Sequence, residues 1–280
     1  MKMIWMKPSL LNRSIWVSLI LSSSLLLVGC FFNFKSEEFQ RAEVAVKNQK
    51  FKQALKHYSR IIKNWPRSQH ALKSARKGSQ IAYLETSDFI TAMDFYRHLV
   101  IYSSNEVERI EAQKNIALIY FEKISDYSSA IREYSRLLNL PRSKEEDTLY
   151  RFNIVKSYFY LNNFYQATIE IKKLLSSLDE EDNKFEYLAF RGNILLTTKK
   201  LSEAVKVFLE LMKKYPEEAM RENVPISLAV TYEEKGEFDK AVAVLEEVKQ
   251  SYPTPEFIEL LIKRLKDRIS NLPGSKGLRK

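Results

Sequence analysis

The residues able to do covalent or acid–base chemistry are few and scattered. Among 280 residues there is one cysteine, Cys30, and there are three histidines, His57, His70 and His98. A single cysteine can neither close an intramolecular disulfide nor build a cysteine-based zinc site, so stability must come from packing. The histidines stand in no HExxH spacing, and the six glycines form no phosphate-cradling loop. The acidic pairs Glu37-Glu38, Glu145-Glu146 and Glu180-Glu181 are adjacent in sequence. On a helix such neighbours point different ways and make a solvated face rather than an acid–base couple. These absences argue against an enzyme, and no cofactor or metal is expected. The thiol of Cys30 is left as the one group whose position suggests chemistry.

That position is specific. Lys2, Lys7 and Arg13 precede an apolar run from Ile15 to Val28, which ends in Gly29-Cys30. A positive start, a short apolar core and a small residue at the end are the layout of a secretory signal peptide. The run is shorter than the ~20 residues a helix needs to cross a bilayer. Leu27-Val28-Gly29-Cys30 resembles the lipobox of bacterial lipoproteins. That resemblance implies removal of residues 1–29 and acylation of Cys30, with 30–34 as a lipidated tether. Two or three acyl chains make anchoring effectively permanent, at about 0.8 kcal/mol per buried methylene. Phe31, in place of the Asp that marks inner-membrane retention in enterobacterial lipoproteins, implies the periplasmic face of the outer membrane. Phe31, Phe32 and Phe34 are expected either among the lipid head groups or as a lid on the first folded element.

The rest of the chain must be the element that Cys30 would hold at the membrane. It is 45% hydrophobic, with eight prolines, and rich in Leu, Lys, Glu and Ala, a balance that favours helices. Removing Lys2, Lys7 and Arg13 from the formal +10 leaves +7, with basic and acidic residues interleaved. Interleaved charge suits acidic partners or anionic lipid, and no nucleic acid partner is expected.

From Phe39 to Pro253 a pattern recurs, marked by Ala54, Ala92, Ala130, Ala167, Ala204 and Ala241 at spacings of 38, 38, 37, 37 and 37 residues. Three residues before each alanine stands Phe51, Phe89, Tyr127, Phe164, Leu201 or Phe238. Four residues after it stands Tyr58, Tyr96, Tyr134, Ile171, Phe208 or Leu245. Two helices approach closely only where one contributes a small residue, and a bulky neighbour fills the wedge beside it. Pro66, Pro141, Pro216 and Pro253 close units. The alanine, aromatic and proline pattern, best seen in Leu228-Ala229, Tyr232, Gly236, Phe238, Ala241, Leu245 and Pro253, resembles the tetratricopeptide repeat. The resemblance implies an all-α, superhelical array of about six helical hairpins over residues 35–255. A capping helix is expected at 256–270, with Phe257, Leu260, Leu261 and Leu265 at helical spacing, then a disordered basic tail at 271–280.

Lengthened repeats behind a lipobox resemble the BamD family, lipoproteins of the β-barrel assembly machinery; six repeats are nearer the count of pilotin lipoproteins. Both resemblances imply protein partners and a scaffold in envelope biogenesis. In the family's register the first helices line a groove for a peptide or partner protein. This register places Asn115 and Ile119 of the third repeat there, with Phe152, Lys156, Phe159 and Tyr160 of the fourth and Asn193 of the fifth, beside Ala189 and Leu196. Amides can bond a peptide backbone while rings supply contact area. Packing between repeats is the competing role for Phe152 and Phe159. Lys77 stands where a carboxylate clamp would place a cation, but Ile81 replaces the Asn expected a turn later, which disfavours capture of a C-terminal carboxylate.

Overall fold

The structure is a computed structural model and describes residues 34–179 and 183–271. The segment 1–29, Cys30, Phe31, Phe32, the Glu180-Glu181 pair and the tail 272–280 lie outside the described residues. Within the described residues the chain is helical and holds no strand. No described helix is long and apolar enough to cross a membrane.

Residues 34–47 form α1. There follow α2 (Phe51–Asn64), α3 (Gln69–Gln80), α4 (Phe89–Tyr102), α5 (Glu106–Leu118), α6 (Tyr127–Leu137) and α7 (Lys144–Tyr160). Then come α8 (Phe164–Ser177), α9 (Phe185–Thr197), α10 (Leu201–Lys214), α11 (Pro216–Arg221), α12 (Val224–Glu234), α13 (Phe238–Val248) and α14 (Pro255–Ser270). The chain divides into two compact units, one ending at Asp126 and one beginning at Tyr127. In the first, α2 packs on α3, α3 on α4 and α4 on α5. In the second, α6 to α10 pack each on the next, α10 packs on α12, α12 on α13 and α13 on α14.

The repeat pattern is physical. Each second helix starts at the bulky residue that precedes its marker alanine: Phe51, Phe89, Tyr127, Phe164, Leu201 and Phe238. All the marker alanines, Ala54, Ala92, Ala130, Ala167, Ala204 and Ala241, are fully buried. Two residues before each second helix the backbone enters the left-handed region, at Gln49, Ser87, Ser125, Asn162, Lys199 and Gly236. Around Gln49, Asn162, Lys199 and Gly236 the closing hydrogen bonds share one arrangement. The next residue's N–H donates to the carbonyl five back, as Lys50 does to Ala45, Asn163 to Tyr158, Lys200 to Leu195 and Glu237 to Tyr232. This is a Schellman closure, which ends the first helix and turns the chain into the second.

Two repeats deviate for an identifiable reason. α3 and α5 each run on into a wider π turn, Ile81–Glu85 and Ile119–Ile124, which takes up extra chain before the left-handed residue. Four residues after Ala92, Tyr96 was expected in the core. There Phe95 is fully buried and Tyr96 only partly, because Gly78 leaves a side-chain-sized space that the Phe95 ring fills. In α5 the buried stripe is Ala112, Gln113, Ile116 and Ala117, and it continues into the π turn at Ile119. A register counted back from Ala130 without the extra residue puts Ile119 outside, whereas it is fully enclosed.

The cap also differs in detail. α14 buries Ile258, Ile262 and Leu265 against the α12–α13 core, with Leu261 at its margin. Phe257 and Leu260 are exposed. The sequence offers two overlapping apolar stripes, and the face carrying the two isoleucines is the one that packs. Arg264 and Arg268 fasten the helix by donating to the two oxygens of Glu233, each at 2.6 Å.

Candidate functional site

In the second unit the expected surface is built on α7 and α9. α7 begins with a reciprocal cap: Ser143 accepts from the Glu146 N–H, and the Glu146 carboxylate accepts from the Ser143 N–H. Asp147 in its first turn binds Arg142 at 2.6 Å and Arg151 at 2.5 Å. Burial alone would raise the Asp147 pKa, but hydrogen bonds from Arg151 and Arg142 hold it below the ordinary carboxylate value. The helix start is thereby fixed, and with it the rotation of every residue downstream.

One face of α7 then presents Phe152, Lys156, Phe159 and Tyr160, and α9 meets it with Tyr187 and Phe190. Phe152 packs edge-on against Tyr187 at 4.9 Å and Phe190 at 5.4 Å. Phe159 meets Phe190 at 5.2 Å and Phe164 at 5.4 Å. Tyr160 lies 4.9 Å from Tyr127 and 48% of it is exposed. The Lys156 ammonium sits 4.4 Å above the Phe152 ring, a cation–π contact that holds the charge at the surface of the cluster.

Burial sorts the predicted residues. Phe152 is 2% exposed and stands behind the surface as the packing centre between α7 and α9. Lys156 and Phe159 are partly exposed, and Tyr160 and Asn193 exposed. Tyr187 and Phe190 are contributors that the sequence reading missed. Their spacing to Asn193, two successive steps of three along α9, places all of them on one helical stripe and was a readable signal. In the first unit Asn115 is partly exposed and its amide donates to the Glu111 carbonyl. Ile119 belongs to the core there, for the reason given above, so it offers no surface to a partner.

The first unit carries its own polar network. Lys77 and the Tyr58 hydroxyl both donate to the Glu43 carboxylate, so the cation at the clamp-like position is already engaged. Burial, reinforced by Glu43, pushes the Tyr58 phenol far above its usual range. Glu38, 3% exposed, receives His57 at 2.8 Å and Arg60 at 3.1 Å. His98 is buried beside Tyr102 at 4.6 Å, and burial pushes its pKa down despite a bond to the Pro66 backbone. His57 and His98 therefore sit in structural settings. Among the described residues no three His, Cys, Asp or Glu side chains gather as a metal-holding group.

Comparison with known proteins supplies the fold's kinship. A tetratricopeptide repeat model matches residues 38–68 and 227–255, the first and last hairpins. No curated protein matches the chain. Among solved structures, a tetratricopeptide repeat protein from Parabacteroides merdae is 16% identical at a TM-score of 0.51, over 84% of this chain and 86% of that one. PilW, described as a widely conserved type IV pilus biogenesis factor, is 13% identical at a TM-score of 0.52, over 82% and 98%. The C-terminal part of a repeat protein from Cytophaga hutchinsonii is 14% identical at 0.51, over 76% and 78%. The chain has the helical-repeat fold of tetratricopeptide proteins.

Proposed function

We propose that this tetratricopeptide-type chain is a membrane-tethered scaffold that binds an extended segment of an envelope protein on the α7–α9 face. The observation that carries the reading is the composition of that face. Lys156 stands over Phe152, and Phe159, Tyr160 and Asn193 are left at the surface around it. Rings give contact area at low entropy cost, the amide can bond a peptide backbone, and the ammonium favours an acidic residue in the segment. Tethering is supported by the lipobox-like Leu27-Val28-Gly29-Cys30 behind a signal-like run, and the outer membrane by Phe31.

Resemblance to the BamD family supports a role in outer-membrane protein assembly. A pilotin-like role in secretin or pilus assembly is the second reading, favoured by the repeat count and by the likeness in fold to PilW. Crosslinking in intact membranes, followed by identification of the captured proteins, separates the two. Subunits of the β-barrel machinery or their clients support the first, and secretin or pilus subunits the second. Capture of soluble enzymes or of nothing at all would remove the scaffold reading. Cys30→Ser should leave the protein unprocessed or released from outer-membrane fractions; a variant still processed and still floating with those membranes at high salt would refute the anchor.

A further inference from the structure

The described chain begins beside a tryptophan. Phe34, 53% exposed, has its ring 5.9 Å from that of Trp65, the residue that ends α2. Short turns join α1 to α2 and α2 to α3, so the start of α1, the end of α2 and the start of α3 share one end of the first unit. Cations collect at this end. Lys63 lies in the last turn of α2, Arg67 in the following loop and Lys73 in α3. All three are exposed, and among the described residues none of them makes an ion pair. Lys35 adds a further charge. Its field and that of Lys73 reach the His70 ring, whose pKa is lowered first by burial and then by these two ammonium groups.

The two carboxylates in the first turn of α1 do not cancel this charge. Glu38 is buried under His57 and Arg60, and Glu37 pairs with Arg41 at 3.6 Å. The end surface thus combines an exposed Phe34 and a half-buried Trp65 with the unpaired Lys63, Arg67 and Lys73, the pairing of features found where proteins meet lipid head groups.

We propose that this end of the first unit is a second, non-covalent membrane contact, with Phe34 and Trp65 at the head-group level and Lys63, Arg67 and Lys73 facing anionic phosphates. The occupant is an anionic bilayer rather than an acidic protein because of where the chain leads. Cys30 precedes Phe34 by four residues, a reach of at most ~14 Å. An acylated Cys30 therefore keeps Phe34, and with it this end of the first unit, at the membrane surface, where the field of anionic head groups acts over a screening length of ~8–10 Å. The inference rests on the anchoring reading. Its consequence is that the first hairpin is pinned by two contacts, which restricts how the helices above it can swing.

Trp65 reports on this directly, because Trp5 and Trp16 precede Cys30 and a processed chain keeps Trp65 as its single tryptophan. The protein is purified from membranes, its mass determined, and reconstituted into vesicles carrying brominated acyl chains, with either phosphatidylglycerol or phosphatidylcholine head groups. The expected result is a blue-shifted Trp65 emission quenched in phosphatidylglycerol. Quenching should be at least threefold weaker in phosphatidylcholine, and likewise in a Lys63→Glu, Arg67→Glu, Lys73→Glu variant that retains its helical circular dichroism. A processed, acylated chain whose Trp65 is unquenched, or quenched equally in both lipids, overturns the contact and leaves the anchor standing. A mass showing an unprocessed, unacylated chain overturns the anchor and the contact together.

Discussion

Glu38 shows how a single residue of this chain can hold two helices. Its carboxylate is enclosed, and His57 and Arg60 of α2 both reach it from across the first hairpin. Burial raises the Glu38 pKa and the hydrogen bonds from His57 and Arg60 lower it, with the lowering dominant. A carboxyl whose folded pKa is depressed contributes stability that is present above its ordinary value of 4.5 and lost as the pH falls through the folded value. Glu38→Gln should therefore cost about 1–3 kcal/mol near neutral pH, as leaving buried partners unsatisfied does. The gap between variant and parent in urea midpoint should narrow below about pH 4.5; a gap constant with pH would show that the charge is not what matters. Glycines offer a second residue-scale test. A Cβ at Gly192 would lie 2.4 Å from the Phe208 ring, so Gly192→Ala should cost roughly 1–3 kcal/mol by overpacking. Gln49, held at φ 56°, should respond oppositely, Gln49→Gly stabilising the fold by roughly 0.5 kcal/mol and so raising the denaturation midpoint. The Glu38 contacts and the strain at Gln49 were not legible in the sequence. Glu38 read as half of a solvated acidic pair, and left-handed turns made of Gln, Ser, Asn and Lys carry no glycine to announce them.

At the scale of elements the sequence was most informative, because the wedge of alanine and bulky residue is a steric requirement repeated in each hairpin. Ala204→Phe or Ala241→Phe, each placed in a fully buried position, should destabilise by about 1–3 kcal/mol in equilibrium unfolding. Unchanged midpoints would contradict the packing described. The cap should behave as a separate increment. Removing residues 256–280 strips Ile258, Ile262 and Leu265 from the terminal core and leaves Glu233 without Arg264 and Arg268. Lower melting temperature and aggregation are expected, whereas removal of 272–280 alone should change neither. Equal melts for the two truncations would show that α14 seals nothing. What the pattern hid was the phase of α3 and α5. A π turn adds chain inside an element without adding a loop, so counting back from Ala130 drifts and lands on Ile119, which is enclosed; Tyr96 lies beyond the turn, and its place in the core is taken by Phe95 because of the space at Gly78.

For the whole molecule, the account joins an acylated Cys30, a basic and aromatic end on the first unit, and a recognition face on α7 and α9 in the second. The proposed recognition face was partly legible: the family register put Phe152, Lys156, Phe159, Tyr160 and Asn193 on it, of which Phe152 proves a packing residue, while Tyr187 and Phe190, at a spacing that could have been read, emerge from α9 packing on Phe152. Sequence could not rank these residues by exposure, since a phenylalanine at a groove position and one between helices have the same spacing. The central claim is that this face, and not the outer helical surface, binds the partner. A photo-crosslinking amino acid placed in the membrane-bound protein at Tyr160, Asn193 or Tyr165 tests it, Tyr165 being 78% exposed on α8 and outside the aromatic cluster. The account predicts one discrete crosslinked envelope protein from Tyr160 and from Asn193, lost on Lys156→Glu, and none from Tyr165. Crosslinks of equal yield from all three positions, or from Tyr165 alone, would contradict it.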